Sequence, residues 1–347
     1  MSTSSLRLGL VGYGVGGRYF HAPFIAASGS VEIVGIVTRS PERVAHAEAD
    51  LPEVPVYSSL AALLDSGVDV VTITTPPLTR RELVLEAVAR GVHVIADKPF
   101  APNLEGGREL VRAAEEAGVM LSVFHNRRWD ADLRTLAGVI HSGELGELWR
   151  VHSRFDLDDP GTMETGAGGG MLRDLGSHVV DQMLWLLGPA THVSAVIDET
   201  DRFGARVDCG FSITLRHSNG VHSTVESSKL NHASAREFRA YGSAGSYLAT
   251  GTDVQAQAIF AGRRPIDDPT GWGHDDERLW GVLATDAGMS SIPSAQGDYA
   301  EFYRQFAAAV AGIGPQPVSG AEALGVLAVL DAARASASSD STIVLPA

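Results

Sequence analysis

The chain has a single cysteine, Cys209, in 347 residues. One thiol can build neither an internal disulfide framework nor a cysteine-rich metal site. No apolar run approaches the ~20 residues that a membrane-spanning helix needs. The N-terminal stretch MSTSSLRLGLVGYG lacks signal-peptide design, because its apolar run leads straight into a glycine-rich turn. Dense lysine and arginine clusters are missing too. Basic residues number 27 against 42 acidic ones, a formal net charge of −15. That balance argues against nucleic acid or an anionic membrane as partner. No internal repeat is visible. These absences leave a cytoplasmic enzyme or small-molecule binding protein.

What is present is an ordinary globular composition. Hydrophobic residues make up 44% and charged residues 20%, enough to bury a full core, and the length suggests two domains. Residues 8–11, 33–37, 70–73, 94–96 and 121–124 are short apolar runs that read as strands. Helical patterns separate them. Pro41 opens one helix, and those at 81–89 and 104–117 end near Gly91 and Gly118. Strands apolar throughout and alternating with helices imply a parallel sheet covered on both faces. Residues 1–125 are therefore expected to form an α/β Rossmann dinucleotide-binding domain.

From residue 126 the pattern changes to longer alternating segments. Asn219-Gly220 between two alternating runs is a hairpin signal, and EFRAYGSAGSYLAT reads as strand, turn, strand. Residues 126–347 are expected to form an α+β domain for substrate binding and oligomerisation. Its sheet should be large, open and mostly antiparallel, and helices at 300–311 and 321–335 should close the chain.

GLVGYGVGGRYF holds Gly12-x-Gly14-x-x-Gly17 directly after a strand and at the start of a helix. Gly12 permits the tight turn, Gly14 lets backbone approach a pyrophosphate, and Gly17 lets helix and strand pack closely. The helix N-terminus offers N–H groups and partial positive charge to the anion. The candidate pyrophosphate residues are Gly12, Tyr13, Gly14, Val15 and Gly17. An NAD-preferring site carries an Asp or Glu at the end of the second strand to hold the ribose 2′-OH. Here Thr38, Arg39 and Ser40 stand there, with Arg43 a turn later. Hydroxyls and guanidinium groups suit a 2′-phosphate, so NADP(H) is favoured over NAD(H). Thr75 and Pro76 follow the third core strand, where ligands bind in open α/β sheets. They read as a cofactor wall or as a stiff structural loop.

GGGMLRDLGSHVVDQMLWLLGP is a second informative stretch. At about 100° per residue, Asp174, His178, Asp181 and Trp185 share one stripe of a helix that is otherwise apolar. Buried unpaired charge is costly, so the stripe should face a partner or a wet cleft. Asp174 and His178 are spaced to hydrogen-bond. The glycine run at 168–170 should leave room for a ligand near the helix start. Two carboxylates and a histidine could hold a metal, but no second histidine cluster supports one and no metal is expected. A third stretch, VIADKPFA, puts Lys98 at the mouth of a buried strand, and Pro99 restricts its backbone. Alone, Lys98 reads equally as a salt-bridge partner of Asp97.

Together the glycine fingerprint, Lys98-Pro99 and DLGSHVVDQ resemble the glucose–fructose oxidoreductase / inositol dehydrogenase (Gfo/Idh/MocA) family over nearly the whole chain. FHAPFI at 20–25, SVFHNRRWDAD at 122–132 and the Thr38-Arg39 strand end are similar to its NADP-dependent scyllo-inositol dehydrogenase branch. The resemblance implies that Lys98, Asp174 and His178 are the catalytic set. It sets Asp97, Lys98 and Asn126 near the cofactor, and Lys98, Arg127, Asp174 and His178 near the substrate. It implies reversible hydride transfer between nicotinamide C4 and a secondary alcohol of a sugar or cyclitol, in a homodimer or homotetramer built through the C-terminal sheet. His178 is the first candidate for proton acceptor, with Lys98 stabilising the alkoxide; the two roles could be exchanged. The chain departs from the family in having Asp97 for the usual glutamate and Arg80 where many members carry histidine. Rival readings are an NAD-dependent glycosidase, a non-catalytic nucleotide-binding sensor, and a biliverdin or imine reductase. Trp272 reads either as a cleft residue or as packing.

Overall fold

The computed structural model describes residues 5–163, 169–202, 204–251 and 253–346; Gly168, named above with the glycine run, lies outside them. In chain order the first elements are β1 (Leu6–Val11), one π-type turn (Gly16–His21), α1 (Ala22–Ser28), β2 (Val31–Val37), α2 (Pro41–Asp50), β3 (Val56–Tyr57), α3 (Leu60–Asp65), β4 (Val70–Ile73), α4 (Pro77–Ala89), β5 (His93–Ala96), α5 (Leu104–Glu116) and β6 (Leu121–Val123). A 3-10 turn (Asn126–Trp129) leads into α6 (Ala131–Ser142), β7 (Leu148–Asp156), α7 (Met171–Asp174) and α8 (Gly176–Leu187). Then come β8 (Ala190–Arg202), β9 (Ala205–His217), β10 (His222–Ser228), β11 (Ala235–Gly242), β12 (Gly245–Ala249), α9 (Val254–Phe260), β13 (Gly281–Thr285), β14 (Gly288–Ile292), α10 (Ala300–Val310), α11 (Gly320–Ser339) and β15 (Ile343–Val344).

The chain forms two compact units, and they do not follow the single cut expected after residue 125. Unit 1 takes the chain up to Asn126 and adds Gln255–Trp272 and Asp298–Ala323; unit 2 takes Arg127–Val254, Gly273–Gly297 and the chain from Leu324 on. The reason is burial. Phe302, Tyr303 and Phe306 of α10 are fully buried, and Phe302 meets Phe124 edge-on at 4.9 Å between ring centres. The hydroxyl of Ser122, in β6, donates to the Val318 carbonyl at 2.6 Å. The first sheet thus completes its apolar cover with residues from much later in the chain.

Unit 1 holds a six-stranded sheet in the order β3-β2-β1-β4-β5-β6, every pairing parallel. Leu8, Leu10, Val70, Ile73, Val94 and Ile95 are inaccessible to solvent, as strands covered on both faces require. Pro41 and Pro77 begin α2 and α4, where a missing N–H costs nothing. Asn103 caps α5 by accepting from the Gly106 N–H at 2.9 Å.

Unit 2 holds a nine-stranded sheet in the order β14-β13-β12-β11-β7-β10-β9-β8-β15. All its pairs are antiparallel except β7 with β10. Val151, Ile213, Leu215, Val225 and Phe238 are buried in one core with Val179, Val180 and Met183 of α8. Residues of opposite parity, such as Arg150, Thr214 and His222, line a hollow of about 620 Å³ on the other face. One face of this sheet is thus covered and the other open. The Asn219-Gly220 hairpin also forms: Gly220 has φ +88, and the Asn219 side chain accepts from the Val221 N–H at 3.1 Å. Among the described residues no helix is long and apolar enough to cross a membrane.

Candidate active site

In unit 1 the glycine turn follows β1 as its spacing requires. Gly12 has φ +103, and a side chain there would meet the Thr74 hydroxyl and the backbone at Thr74 and Thr75. A side chain at Gly17 would strike the Gly12 carbonyl. The hydroxyl of Thr74 donates to that same carbonyl at 3.0 Å, so the turn is tied to the end of β4. The side chain of Tyr13 is buried, and its hydroxyl donates to Asp50 at 3.2 Å. Burial, then Asp50, pushes that phenol's pKa well up. Tyr13 therefore offers a ligand its backbone and not its hydroxyl, whereas Val15 is exposed. Thr38 is buried, Arg39 is exposed, and Ser40 stands at the start of α2 without capping it through its hydroxyl. The Arg43 guanidinium lies 3.6 Å from where a Gly14 Cβ would be. The glycine cradle and this cationic rim fit a dinucleotide pyrophosphate and ribose. Thr75 accepts from the Thr79 hydroxyl at 2.9 Å, beside Pro76, which precedes α4.

Asp97 and Lys98 follow β5 directly. The Asp97 Oδ1 accepts the Lys98 N–H at 2.8 Å, and the Lys98–Pro99 peptide is cis. The other oxygen, Oδ2, lies 3.7 Å from His21 Nε2 and 3.9 Å from the Arg80 guanidinium. Burial alone would raise this carboxyl's pKa, but the neighbouring His21, then Arg80 and Lys98, outweigh it and bring it down to about 2. Arg80 is itself buried. It donates to the carbonyls of Thr75 at 2.8 Å, Asp97 at 2.7 Å and Pro99, stapling the loop after β4 to the loop after β5. His21 is fully buried, 4.1 Å from Phe124 between ring centres, with Nδ1 2.5 Å from the Tyr303 hydroxyl. Trp272 packs inside this unit: it is buried, its indole N–H donates to Gln255 at 3.1 Å, and it meets Phe24 edge-on.

In unit 2 the expected continuous helix is interrupted at Leu175. The His178 N–H donates to the Leu175 carbonyl at 3.0 Å, and the Ser177 hydroxyl donates to the Asp174 carbonyl at 3.0 Å. Asp174 thus ends α7 and His178 sits in the first turn of α8. The Asp174 carboxylate accepts from the Lys229 ammonium at 2.7 Å. The other acid of the stripe faces no cleft: Asp181 is buried and takes two-point hydrogen bonds from Arg128 at 2.9 and 2.7 Å. His178 is buried, and Trp185 at the far end of the stripe is exposed. Gly170 does not leave the space expected of it. It has φ +97, and a Cβ there would collide with the Asp208 carboxylate. That carboxylate, from β9, stands at the start of α7, where the backbone N–H groups of Met171 and Leu172 favour its charged form.

Asn126 is buried at the end of unit 1. Arg127 begins unit 2, and its guanidinium donates to Asp253 at 2.6 Å and Asp130 at 3.3 Å. It stacks on Phe155 at 4.8 Å, as Arg236 does, and Arg236 pairs in turn with Asp130 and Asp132. Arg127, expected near the substrate, holds within this unit a place in a buried ion network.

Residues 6–125 match the profile of an oxidoreductase family with an NAD-binding Rossmann fold, and residues 133–248 match the GFO/IDH/MocA C-terminal domain. The chain belongs to the GFO/IDH/MocA oxidoreductase family. The scyllo-inositol 2-dehydrogenase (NADP(+)) of Bacillus subtilis is 31% identical, with 98% of this chain and 96% of that protein covered. An oxidoreductase of Escherichia coli is 33% identical, with 99% of both covered. A solved oxidoreductase structure from Bacillus subtilis superposes with a TM-score of 0.89 at 30% identity, covering 99% of this chain and 100% of that one.

Membership in the GFO/IDH/MocA family makes this chain an oxidoreductase with a nucleotide-binding Rossmann domain. The structure adds residues that the sequence left unread. His21, Arg80, Arg128, Asp208, Lys229 and Tyr303 all shape the candidate residues, and each is an ordinary polar residue in its local context. The only local sign was polarity inside apolar runs, as with His21 between Phe20 and Ala22.

Proposed function

We propose that this chain is an NADP(H)-preferring dehydrogenase of a sugar or cyclitol, inositol-like in its pattern of secondary hydroxyls. One observation carries the reading: similarity along nearly the whole chain to an NADP(+)-dependent scyllo-inositol dehydrogenase. Arg39, Ser40 and Arg43 support the cofactor preference, since cations and a hydroxyl suit a 2′-phosphate that a carboxylate would repel. When bound, the nicotinamide supplies reversible hydride transfer.

The residues of the chain do the rest. Gly12, Gly14 and Gly17 keep the backbone close enough to hold the pyrophosphate. His178 accepts the hydroxyl proton during oxidation and returns it during reduction, as an imidazole suits near neutral pH. Asp174 orients that imidazole and balances its cation. Lys98 holds the reacting oxygen and stabilises developing negative charge on it. Cytoplasmic location and assembly into dimers or tetramers belong to the same proposal, with the open face of the unit 2 sheet, around Trp149, Arg150 and His222, as the joining surface.

The experiment is an NADPH fluorescence titration followed by a spectrophotometric panel of inositols, aldoses and keto-sugars with both cofactors. Oxidation of at least one cyclitol or sugar with NADP+ is expected. Lys98→Met should bind NADPH normally and lose nearly all turnover. Full turnover in that variant, or no reaction anywhere in the panel, removes the proposal.

A further inference from the structure

Of the 27 basic residues in this chain, 25 are arginine and only two are lysine, Lys98 and Lys229. Positive charge of any ordinary kind is supplied here by arginine. That holds on the surface, as in the Arg206–Glu199 and Arg278–Asp276 pairs, and in the interior, as in Arg128–Asp181. One of the two exceptions stands in the proposed site beside Asp97. The other, Lys229, has no role in the proposed reaction.

Lys229 follows the last residue of β10 and is 4% exposed, a depth at which lysine is found only when paired. Its ammonium donates to Asp174 Oδ2 at 2.7 Å and to the Thr162 carbonyl at 3.4 Å. The carboxylate it holds is 30% exposed, so the cation lies behind an anion that reaches outward. Where this chain fixes a carboxylate through both oxygens, it uses the arginine fork. Arg128 takes Oδ1 and Oδ2 of Asp181. Arg18 does the same to Asp50 at 3.1 and 2.6 Å, as does Arg236 to Asp132. An ammonium is a compact point charge that can hold one oxygen and leave the geometry of the other alone.

We propose that Lys229 is a positioning residue for the active site: it anchors Asp174 through Oδ2 alone, so that Oδ1 is presented to the imidazole of His178 or to a substrate hydroxyl. An arginine fork of the kind that grips both oxygens of Asp181, Asp50 and Asp132 would withdraw the carboxylate from that work, whereas the Lys229 ammonium holds Oδ2 and leaves Oδ1 alone. The inference deepens the polyol dehydrogenase reading and rests on it.

Two lysines make a direct test possible. Protein labelled at lysine Cε gives two side-chain NMR signals. Lys98→Met identifies one by its loss, and Asp174→Asn identifies the other by moving it. A cyclitol or sugar turned over in the panel is then titrated into the full-length protein saturated with NADP+. The expected result is that the Lys229 signal shifts with ligand, because the carboxylate it anchors is engaged. A moving Lys98 signal with a fixed Lys229 signal overturns this inference and leaves the dehydrogenase reading standing. If neither moves, both fall. In a second arm, Lys229→Arg keeps the charge, and kcat is expected to fall about tenfold to a hundredfold with NADPH affinity unchanged. A merely structural cation would be replaced by arginine without loss, so wild-type kcat in Lys229→Arg overturns the inference. The labelled wild-type protein decides the matter should that variant not fold.

Discussion

His21 and Tyr303, 282 positions apart in sequence, meet ring nitrogen to hydroxyl at 2.5 Å inside unit 1. Both side chains are fully buried. An ionised Asp97 on the far side of the imidazole favours the proton on Nε2, and Nδ1 then accepts from the Tyr303 hydroxyl. Tyrosine, histidine and aspartate form a chain of contacts that ends at the carboxylate holding the Lys98 N–H; its last step, His21 Nε2 to Asp97 Oδ2 at 3.7 Å, is electrostatic and too long for a hydrogen bond. Tyr303→Phe removes one link and keeps the ring. It is expected to cost about 1–3 kcal/mol, the penalty for a buried group left without its hydrogen bond. Urea denaturation measures this, and an unchanged midpoint with an unchanged slope counts against the chain.

Acid should act through Asp97. Its carboxyl is held at about 2, down from 3.8 in the free side chain, because His21, Arg80 and Lys98 overcome the effect of burial. A folded-state value below the unfolded one gives stability that is fully present above about pH 4 and is lost as pH falls through about 2. The size is about 2 kcal/mol. Asp97→Asn should be less stable at pH 7 and should show a shallower loss of stability between pH 4 and 2. Parallel stability curves for the two proteins over that interval exclude the assignment.

Arg128 and Asp181 are buried on both sides of their pair, at 4% and 2% side-chain exposure. Arg128→Ala leaves an uncompensated carboxylate and is expected to destabilise by about 3–5 kcal/mol. Replacing both residues with apolar side chains of similar volume should recover most of that loss. Denaturant titration of the two variants checks the pair. Equal losses in the single and double variants contradict it.

Gly170→Ala should be poorly tolerated on two counts. Its φ of +97 suits glycine, and the new methyl would displace the Asp208 carboxylate at the start of α7. A cost of about 1–3 kcal/mol follows from backbone strain alone. Thermal melting of the variant reads it, and an unchanged melting temperature refutes the contact.

Arg39→Asp tests the cofactor preference. A carboxylate there repels a 2′-phosphate and can bind a ribose 2′-OH. The ratio of kcat/KM with NADP+ to that with NAD+ is expected to fall about tenfold or more, the equivalent of losing one charge-assisted contact. An unchanged ratio speaks against a 2′-phosphate at this strand end.

The glycine fingerprint, Lys98-Pro99, the Asn219-Gly220 hairpin and the change from parallel to antiparallel strands were all legible in the sequence. Each is encoded within about twenty residues. Turn chemistry, period and proline constraints are local rules, so they survive without knowledge of the rest of the fold. Helical periodicity put Asp174, His178 and Asp181 on one stripe of a single helix, whereas Asp174 ends α7 and the other two lie in α8. It could not see the break at Leu175, because a change from one hydrogen-bond partner to another leaves the apolar spacing intact.

Partners, in contrast, are a matter of topology. Whether Asp181 faces a cleft or an arginine depends on a turn 53 positions earlier, and Asp174 finds its cation 55 positions later. Arg80, which read only as a departure from a family pattern, staples two loops whose carbonyls lie within its reach once the parallel strands are side by side. The division of the chain into units was decided in the same way, by Phe302, Tyr303 and Phe306 filling a core begun three hundred residues before. The sequence by itself determined the nucleotide-binding fold, the family and the residue types that carry the chemistry. Only the tertiary structure decided which charges neutralise one another, because ion pairing follows distance in space, and distance along the chain says nothing about it beyond a helical turn or a hairpin.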